Sequence, residues 1–153
     1  MPKSHLSGLT LIELLIAFLI VGLLSAVAVP SYRAYVDRVE TELVVSCMRQ
    51  IEIAIDRFYV ENQRLPDNLD EVSLPGDCRT DPWGNAFRYL KLAGKKGKGG
   101  NRKDRNENPL NSDYDLYSMG RDGKTNQSLR PKVSHDDIIR ARNGAYIGLA
   151  ADY

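Results

Sequence analysis

The chain has 153 residues, with 21 Lys and Arg against 20 Asp and Glu and a formal net charge of +1. A balance this close to neutral excludes any argument from overall charge for a nucleic-acid partner, and no nucleic acid is expected. The length leaves room for one modest soluble domain beside a long apolar segment.

A short segment, residues 1–8, precedes an apolar run that lasts from Leu9 to Val29 and ends at Pro30. The run is about 20 residues long, which is the length an α-helix needs to cross the hydrocarbon core of a membrane. Its one charged residue is Glu13. Because a charge inside a membrane segment is costly, Glu13 is a candidate functional residue. On the residues alone, an uncleaved signal anchor remains an alternative.

Residues 8–15 read GLTLIELL, and they follow a short leader that ends in Gly8. With Glu13 at the fifth position after Gly8 and Pro30 near the twenty-second, the segment resembles the prepilin signature of type IV pilins and type II secretion pseudopilins. The resemblance implies that a membrane peptidase cuts after Gly8 and methylates the new amino terminus at Leu9. Leu9 departs from the Phe or Met that is commoner at this position.

The same resemblance implies an assembly role for Glu13. In the family, this glutamate faces the positive amino terminus of a neighbouring subunit inside the apolar core of a filament. In a medium of low dielectric constant, an unpaired carboxylate is costly and a paired one selects a single register. Residues 9–30 are then a transmembrane helix that becomes the filament core.

The orientation of the chain bears on its two cysteines, Cys47 and Cys78. Lys3 on the short amino-terminal side favours a cytoplasmic amino terminus, so the rest of the chain is expected in the periplasm or outside the cell. In such an oxidising space the two cysteines can form a disulfide. Two free thiols are the alternative.

Residues 31–64 are predicted to form an amphipathic helix with one buried stripe. No Gly or Pro interrupts Ser31 to Gln63, so this helix is expected to continue the membrane helix, with a kink at Pro30. Alternatively, Pro30 occupies the first turn of a separate helix, or the stripe is a coiled-coil seam. The apolar residues of the stripe recur at steps of three or four: Val36, Val39, Leu43, Cys47, Ile51, Ile55 and Phe58.

Residues 65–153 are predicted to form a small β-sheet domain with a loop-rich carboxyl-terminal region. Alternating patterns predict strands at 86–91 and 114–118, and short helical turns are expected at 68–72 and 136–140. The stretch from Gly94 to Asn111 is rich in Lys, Arg, Gly and Asn, and it is predicted to be an exposed mobile loop. A basic contact patch for another subunit, anionic lipid or nucleic acid is the functional alternative.

Two further segments, residues 80–87 (TDPWGNAF) and 113–123 (DYDLYSMGRDG), resemble the major pseudopilin of type II secretion. This resemblance implies an α+β fold in which a long helical spine packs against a small antiparallel sheet. It also implies a calcium ion that holds the loop after the last strands.

The calcium ligands of that family fall on Asp122, Asp136, Asp137 and the backbone carbonyl of Met119. Carboxylate and carbonyl oxygens from loops suit this hard cation. Alternatively, Asp122 belongs to an ordinary turn and Asp136 caps a short helix. The connection from Asp122 to Asp136 is longer than in the family and contains Pro131, which departs from the pattern.

The chain is not expected to be an enzyme. His135 would be the one histidine of the mature chain, and pairing it with Cys47 conflicts with the place of Cys47 on an apolar stripe. The resemblance instead implies a pseudopilin that is held in the bacterial inner membrane by one helix, with its carboxyl-terminal domain in the periplasm. Its implied partners are copies of itself in a periplasmic filament, minor pseudopilins, the prepilin peptidase and the inner-membrane assembly platform.

Two other functions remain open at this point. The first is a type IV pilus subunit or minor pilin that serves adhesion, motility or DNA uptake. The second is a plain membrane-anchored binding module, which absence of leader processing would favour.

Overall fold

A computed structural model describes residues 10–76, 78–94 and 99–153. In these residues, one long helix, α1 (Leu11–Asn62), precedes four strands, with short 3-10 turns between and after them. The strands are β1 (Arg88–Lys91), β2 (Tyr114–Ser118), β3 (Ile138–Ala141) and β4 (Tyr146–Leu149). They form one antiparallel sheet in the order β1-β2-β3-β4, so the predicted α+β fold is confirmed.

The chain divides into two compact units, residues 1–38 and 39–153. In the first unit, α1 passes through Pro30 without a break, so Pro30 does not open a separate helix. The Ser31 hydroxyl donates to the Val27 carbonyl at 2.9 Å next to this proline, which lacks an N–H. The kink at Pro30 stays a prediction.

The core of the second unit lies between α1 and one face of the sheet. Its helical side consists of four fully buried residues, Val44, Met48, Ile51 and Ile55. The predicted stripe is therefore right for its carboxyl-terminal half and wrong for Val39 and Leu43, which are 40% and 54% exposed. The run Leu43-Val44-Val45 is apolar at three successive positions, so periodicity alone could not show which of them faces the sheet.

The strands β3 and β4 correct the prediction of a helical turn at residues 136–140. Ile138 pairs with Leu149 and Ile139 with Gly148 in an antiparallel ladder. β-Branched residues at 138 and 139 favour a strand, but the strand forms only because a partner is available later in the chain. On β3, Ile138 packs in the core against α1, whereas Ile139 joins a second cluster on the other face.

This second cluster covers the outer face of the sheet and contains Leu110, Leu129, Ile139, Ala141 and Ala150. It overturns part of the exposed-loop prediction for residues 94–111. The loop turns inward at two places and buries four residues, Asn101 and Arg102 in its middle and Leu110 and Asn111 at its end. Lys95, Lys96 and Lys98 lie outside the described residues, so the basic contact patch stays a hypothesis.

Candidate functional site

The amino-terminal end of α1 holds Glu13 in a capping arrangement. The Thr10 backbone N–H and hydroxyl both donate to Glu13 Oε2, at 2.8 and 2.7 Å, and the Glu13 N–H donates to the Thr10 hydroxyl at 3.3 Å. This is the reciprocal bonding of a capping box, for which the spacing Thr-x-x-Glu is the sequence signature. The carboxylate thus satisfies helix donors in a single subunit, a contribution that the assembly interpretation of the sequence missed.

The surface around Glu13 is apolar and uncovered. In the part of the chain that is described, α1 is the one helix long and apolar enough to cross a membrane, and none of its apolar window is buried. Leu11, Phe18 and Leu23 expose 81%, 67% and 69% of their surface. A continuous apolar surface of this extent requires lipid or other protein chains to cover it. Gly8 and Leu9, the predicted cleavage and methylation positions, lie outside the described residues.

Cys47 and Cys78 form a disulfide, as predicted. Their Cα atoms lie 5.2 Å apart, and the bond joins α1 to the loop that precedes β1. It closes a loop of 31 residues, for which chain-entropy estimates give about 3–4 kcal/mol of stabilisation. The thiol of Cys47 is therefore not available for chemistry with His135, which is exposed and lies against the Arg130 carbonyl at 3.2 Å.

The two segments that carry the pseudopilin resemblance contact each other beside α1. Asp81 Oδ1 accepts the backbone N–H groups of Trp83 and Asn85, and Asp81 Oδ2 accepts the hydroxyl of Ser118 at 2.6 Å. Asn85 Nδ2 donates to the Gly120 carbonyl at 2.8 Å. The turn before β1 and the end of β2 therefore brace each other.

Glu40 on α1 completes this brace. Its Oε2 accepts the indole N–H of Trp83 at 2.9 Å and a guanidinium N–H of Arg121 at 2.5 Å. One carboxylate on the helix thus holds both resemblance segments. Sequence reasoning missed Glu40, because it stands among other charged residues of the amphipathic helix and has no distinguishing pattern.

The predicted calcium positions are only partly brought together. Asp136 Oδ2 accepts the Asp122 N–H at 3.0 Å, and Asp122 Oδ1 accepts the Lys124 N–H at 2.7 Å. Met119 precedes Gly120, where a Cβ atom would lie 2.2 Å from the Asp136 carbonyl oxygen, so these loops touch closely. Among residues 10–76, 78–94 and 99–153, no group of three acidic, His or Cys side chains is placed to hold a metal.

Asp137, the remaining predicted ligand, forms an ion pair with Arg102 of the same chain. Its side chain is fully buried, and Oδ2 accepts hydrogen bonds from Arg102 Nη2 and from the Thr125 hydroxyl. Burial raises the pKa of the Asp137 carboxyl, while the hydrogen bond from Thr125 and the charge of Arg102 oppose that shift. The donor set therefore does not fit calcium as the resemblance implies, since Asp137 already faces a guanidinium. Calcium binding as such stays a prediction.

Several known proteins are similar to this chain in sequence. The chain is 27% identical to the type II secretion system core protein G of Pseudomonas aeruginosa, over 81% of this chain and 89% of that protein. It is 29% identical to the protein of the same name from Klebsiella pneumoniae, over 86% of this chain and 91% of the relative. The type IV major pilin PilE1 of Neisseria gonorrhoeae is 36% identical over 47% of this chain and 46% of its own length. By these similarities the chain fits the type IV pilin-like superfamily.

These relatives are structural pseudopilins and pilins, so the prediction that the chain is not an enzyme is confirmed. No family model matches the chain. No solved structure matches it either.

Proposed function

We propose that the chain is a structural pseudopilin subunit that assembles into the helical filament of a type II secretion system. The observation that carries this proposal is the apolar half of α1, whose surface is uncovered and holds the single carboxylate of Glu13. The matches to core protein G cover 81% and 86% of the chain, so they extend past α1 into the region of the sheet.

In the proposed filament, Glu13 pairs with the methylated amino terminus of a neighbouring subunit, at Leu9 after cleavage behind Gly8. Both capping bonds end on Oε2 of Glu13, and a carboxylate can accept about four hydrogen bonds. Capping its own helix and pairing with a neighbour are therefore compatible. In an apolar core, the pair favours the register in which both charges are satisfied.

The proposed location is the inner membrane, with the carboxyl-terminal unit in the periplasm, before assembly into a periplasmic filament. The disulfide between Cys47 and Cys78 supports this orientation, because such bonds persist in oxidising compartments and are rare in the cytoplasm. The proposed partners are minor pseudopilins, the prepilin peptidase and the inner-membrane assembly platform.

The similarity to type IV pilins favours a second candidate, a pilus subunit. To separate the two, the gene is deleted and complemented in its host, and surface fibres are imaged while secreted proteins are quantified. Lost secretion without loss of surface fibres supports the pseudopilin. Lost surface fibres with normal secretion would overturn it in favour of the pilus subunit.

Leader processing is tested on the same strain by mass spectrometry of the amino-terminal peptide. We expect a methylated peptide that begins at Leu9. A chain that keeps residues 1–8 would contradict assembly by this route and would favour a plain membrane anchor.

A further inference from the structure

Arg102 lies where three segments of the second unit meet, and its side chain is 3% exposed. Its backbone N–H donates to Asp115 Oδ2 on β2 at 2.8 Å. Its guanidinium donates to the Thr125 hydroxyl at 2.8 Å and to Asp137 Oδ2, just before β3. The guanidinium carbon also lies 4.2 Å above the centre of the Tyr117 ring.

Backbone hydrogen bonds on both sides of Arg102 fix these segments in place. The Lys103 N–H donates to the Gln127 carbonyl at 2.9 Å, and the Leu129 N–H returns a bond to the Lys103 carbonyl at 3.1 Å. The Leu110 N–H donates to the Arg102 carbonyl at 2.9 Å. The arginine therefore stands at the centre of the loops that cover the outer face of the sheet.

We propose that Arg102 is a built-in cation that joins the 99–111 loop to the 122–137 loop, and that this fold therefore needs no calcium there. Two fully buried carboxylates contact Arg102 in different ways: Asp137, just before β3, accepts from its guanidinium, and Asp115 on β2 accepts from its backbone N–H. Burying a charge is costly unless it is paired and hydrogen-bonded. The Arg102 guanidinium meets both requirements for Asp137, since it supplies the opposite charge and an N–H donor.

The coordination chemistry points the same way. Calcium takes six to eight oxygen ligands, including carboxylates that face it directly. A guanidinium on Asp137 Oδ2 occupies that carboxylate and repels a divalent cation beside it. Asp122 and Asp136 are engaged with backbone N–H groups instead. Asp137 Oδ1 is buried and has no hydrogen-bond partner among the described residues, so a competing ion would have to bind there beside the guanidinium.

The proposal is tested by thermal unfolding of the full-length chain in detergent, followed by the fluorescence of Trp83. This tryptophan is the only one in the chain, and its indole N–H donates to Glu40, so it reports on the second unit. Arg102→Met is expected to lower the Tm by roughly 10 °C, because it leaves Asp137 buried without a cation. Arg105→Met is the matched control, since Arg105 is exposed in the same loop, and its Tm is expected to stay within about 2 °C of the parent.

Two further variants separate charge compensation from packing. Arg102→Lys keeps the positive charge but lacks the planar guanidinium, so its Tm is expected to lie between those of the parent and Arg102→Met. The double variant Arg102→Met, Asp137→Asn removes both charges, and its loss of Tm is expected to be smaller than the sum of the two single losses. Strictly additive losses, or an Arg102→Met variant as stable as Arg105→Met, would overturn the proposal.

The need for calcium is tested by measuring the Tm of the unmodified chain in millimolar calcium chloride and in EDTA. We expect the same Tm in both solutions. A Tm that rises with calcium and falls with the chelator would show that the loops bind the ion. That result would overturn this proposal but would leave the proposed pseudopilin function unchanged.

Discussion

Arg140 Nε donates to Glu52 Oε1 at 2.7 Å, which joins β3 to α1 across 88 residues of sequence. The same guanidinium donates to both oxygens of Asp113 and lies 3.9 Å above the Tyr114 ring. Burial alone would lower the pKa of Arg140, but its hydrogen bonds to Asp113 and Glu52 raise it above the ordinary arginine value. The inner face of the sheet thus has its own buried arginine, opposite the one on the outer face.

Arg140→Met is expected to destabilise the second unit by about 3 kcal/mol, because Asp113 loses its guanidinium partner and Glu52 keeps only the exposed Arg49. Urea denaturation of the full chain in detergent, followed by Trp83 fluorescence, measures the effect. Arg57→Met on the exposed face of α1 is the matched control. Equal midpoints for the two variants would contradict a structural role for the Arg140 contacts.

The disulfide is expected to contribute about 3–4 kcal/mol through the 31-residue loop that it closes. A chain with both Cys47→Ala and Cys78→Ala should therefore unfold at lower urea than the oxidised parent. Reduced parent protein is the control and should fall near the double variant. An oxidised parent no more stable than the double variant would show that the bond does not constrain the unfolded chain.

Asp115 gives a prediction about pH. Burial raises the pKa of its carboxyl above the ordinary 3.8, although hydrogen bonds from the Arg102 N–H and Asn111 and the charges of Arg102 and Arg140 oppose the shift. A raised folded-state pKa means that the folded chain holds this proton more tightly than the unfolded chain. The contribution of Asp115 to stability is therefore present at low pH and is lost as pH rises from about 3.8 through the raised pKa.

The measurement compares the unfolding free energy of the parent with that of Asp115→Asn across this pH range. Because the other titrating groups are common to both chains, the difference isolates Asp115. We expect the parent to lose stability relative to Asp115→Asn as pH rises. A difference that stays flat, or that moves in favour of the parent, would contradict the raised pKa.

The sequence predicted those features whose signal is local. The long helix follows from an uninterrupted apolar and then amphipathic pattern, and strand β2 follows from alternation over Tyr114–Ser118. The disulfide was predicted from two cysteines in a part of the chain that was expected to lie in an oxidising compartment. The Thr10–Glu13 capping box also has a sequence signature in its spacing, but the prediction for Glu13 considered only its charge in an apolar segment.

The features that were missed depend on distant partners. Arg102 stands in a stretch rich in Lys, Gly and Asn, which is typical of a solvated loop, and it is buried only because the 122–137 loop closes over it. Strand β3 likewise needs β4. Asp137 was expected to bind calcium because of the family resemblance, and its contact with Arg102 comes from 35 residues earlier. Neither relationship has a signature in a window of neighbouring residues.

The proposed assembly depends on the charge of Glu13 rather than on its capping of α1, and three variants separate these roles. Glu13→Gln keeps an oxygen that can accept from Thr10 but removes the charge. Thr10→Ala removes the side-chain part of the cap and keeps the carboxylate. Glu13→Ala removes both. All three should insert in the membrane at normal levels, since none adds a charge to the apolar run.

The decisive measurement is chemical cross-linking of subunits in cell envelopes, quantified against the amount of inserted protein. We predict that Thr10→Ala forms multimers as the parent does, whereas Glu13→Gln and Glu13→Ala lose them. Normal multimers from Glu13→Gln, together with their loss in Thr10→Ala, would show that Glu13 serves only its own helix and would contradict the proposed pairing between subunits.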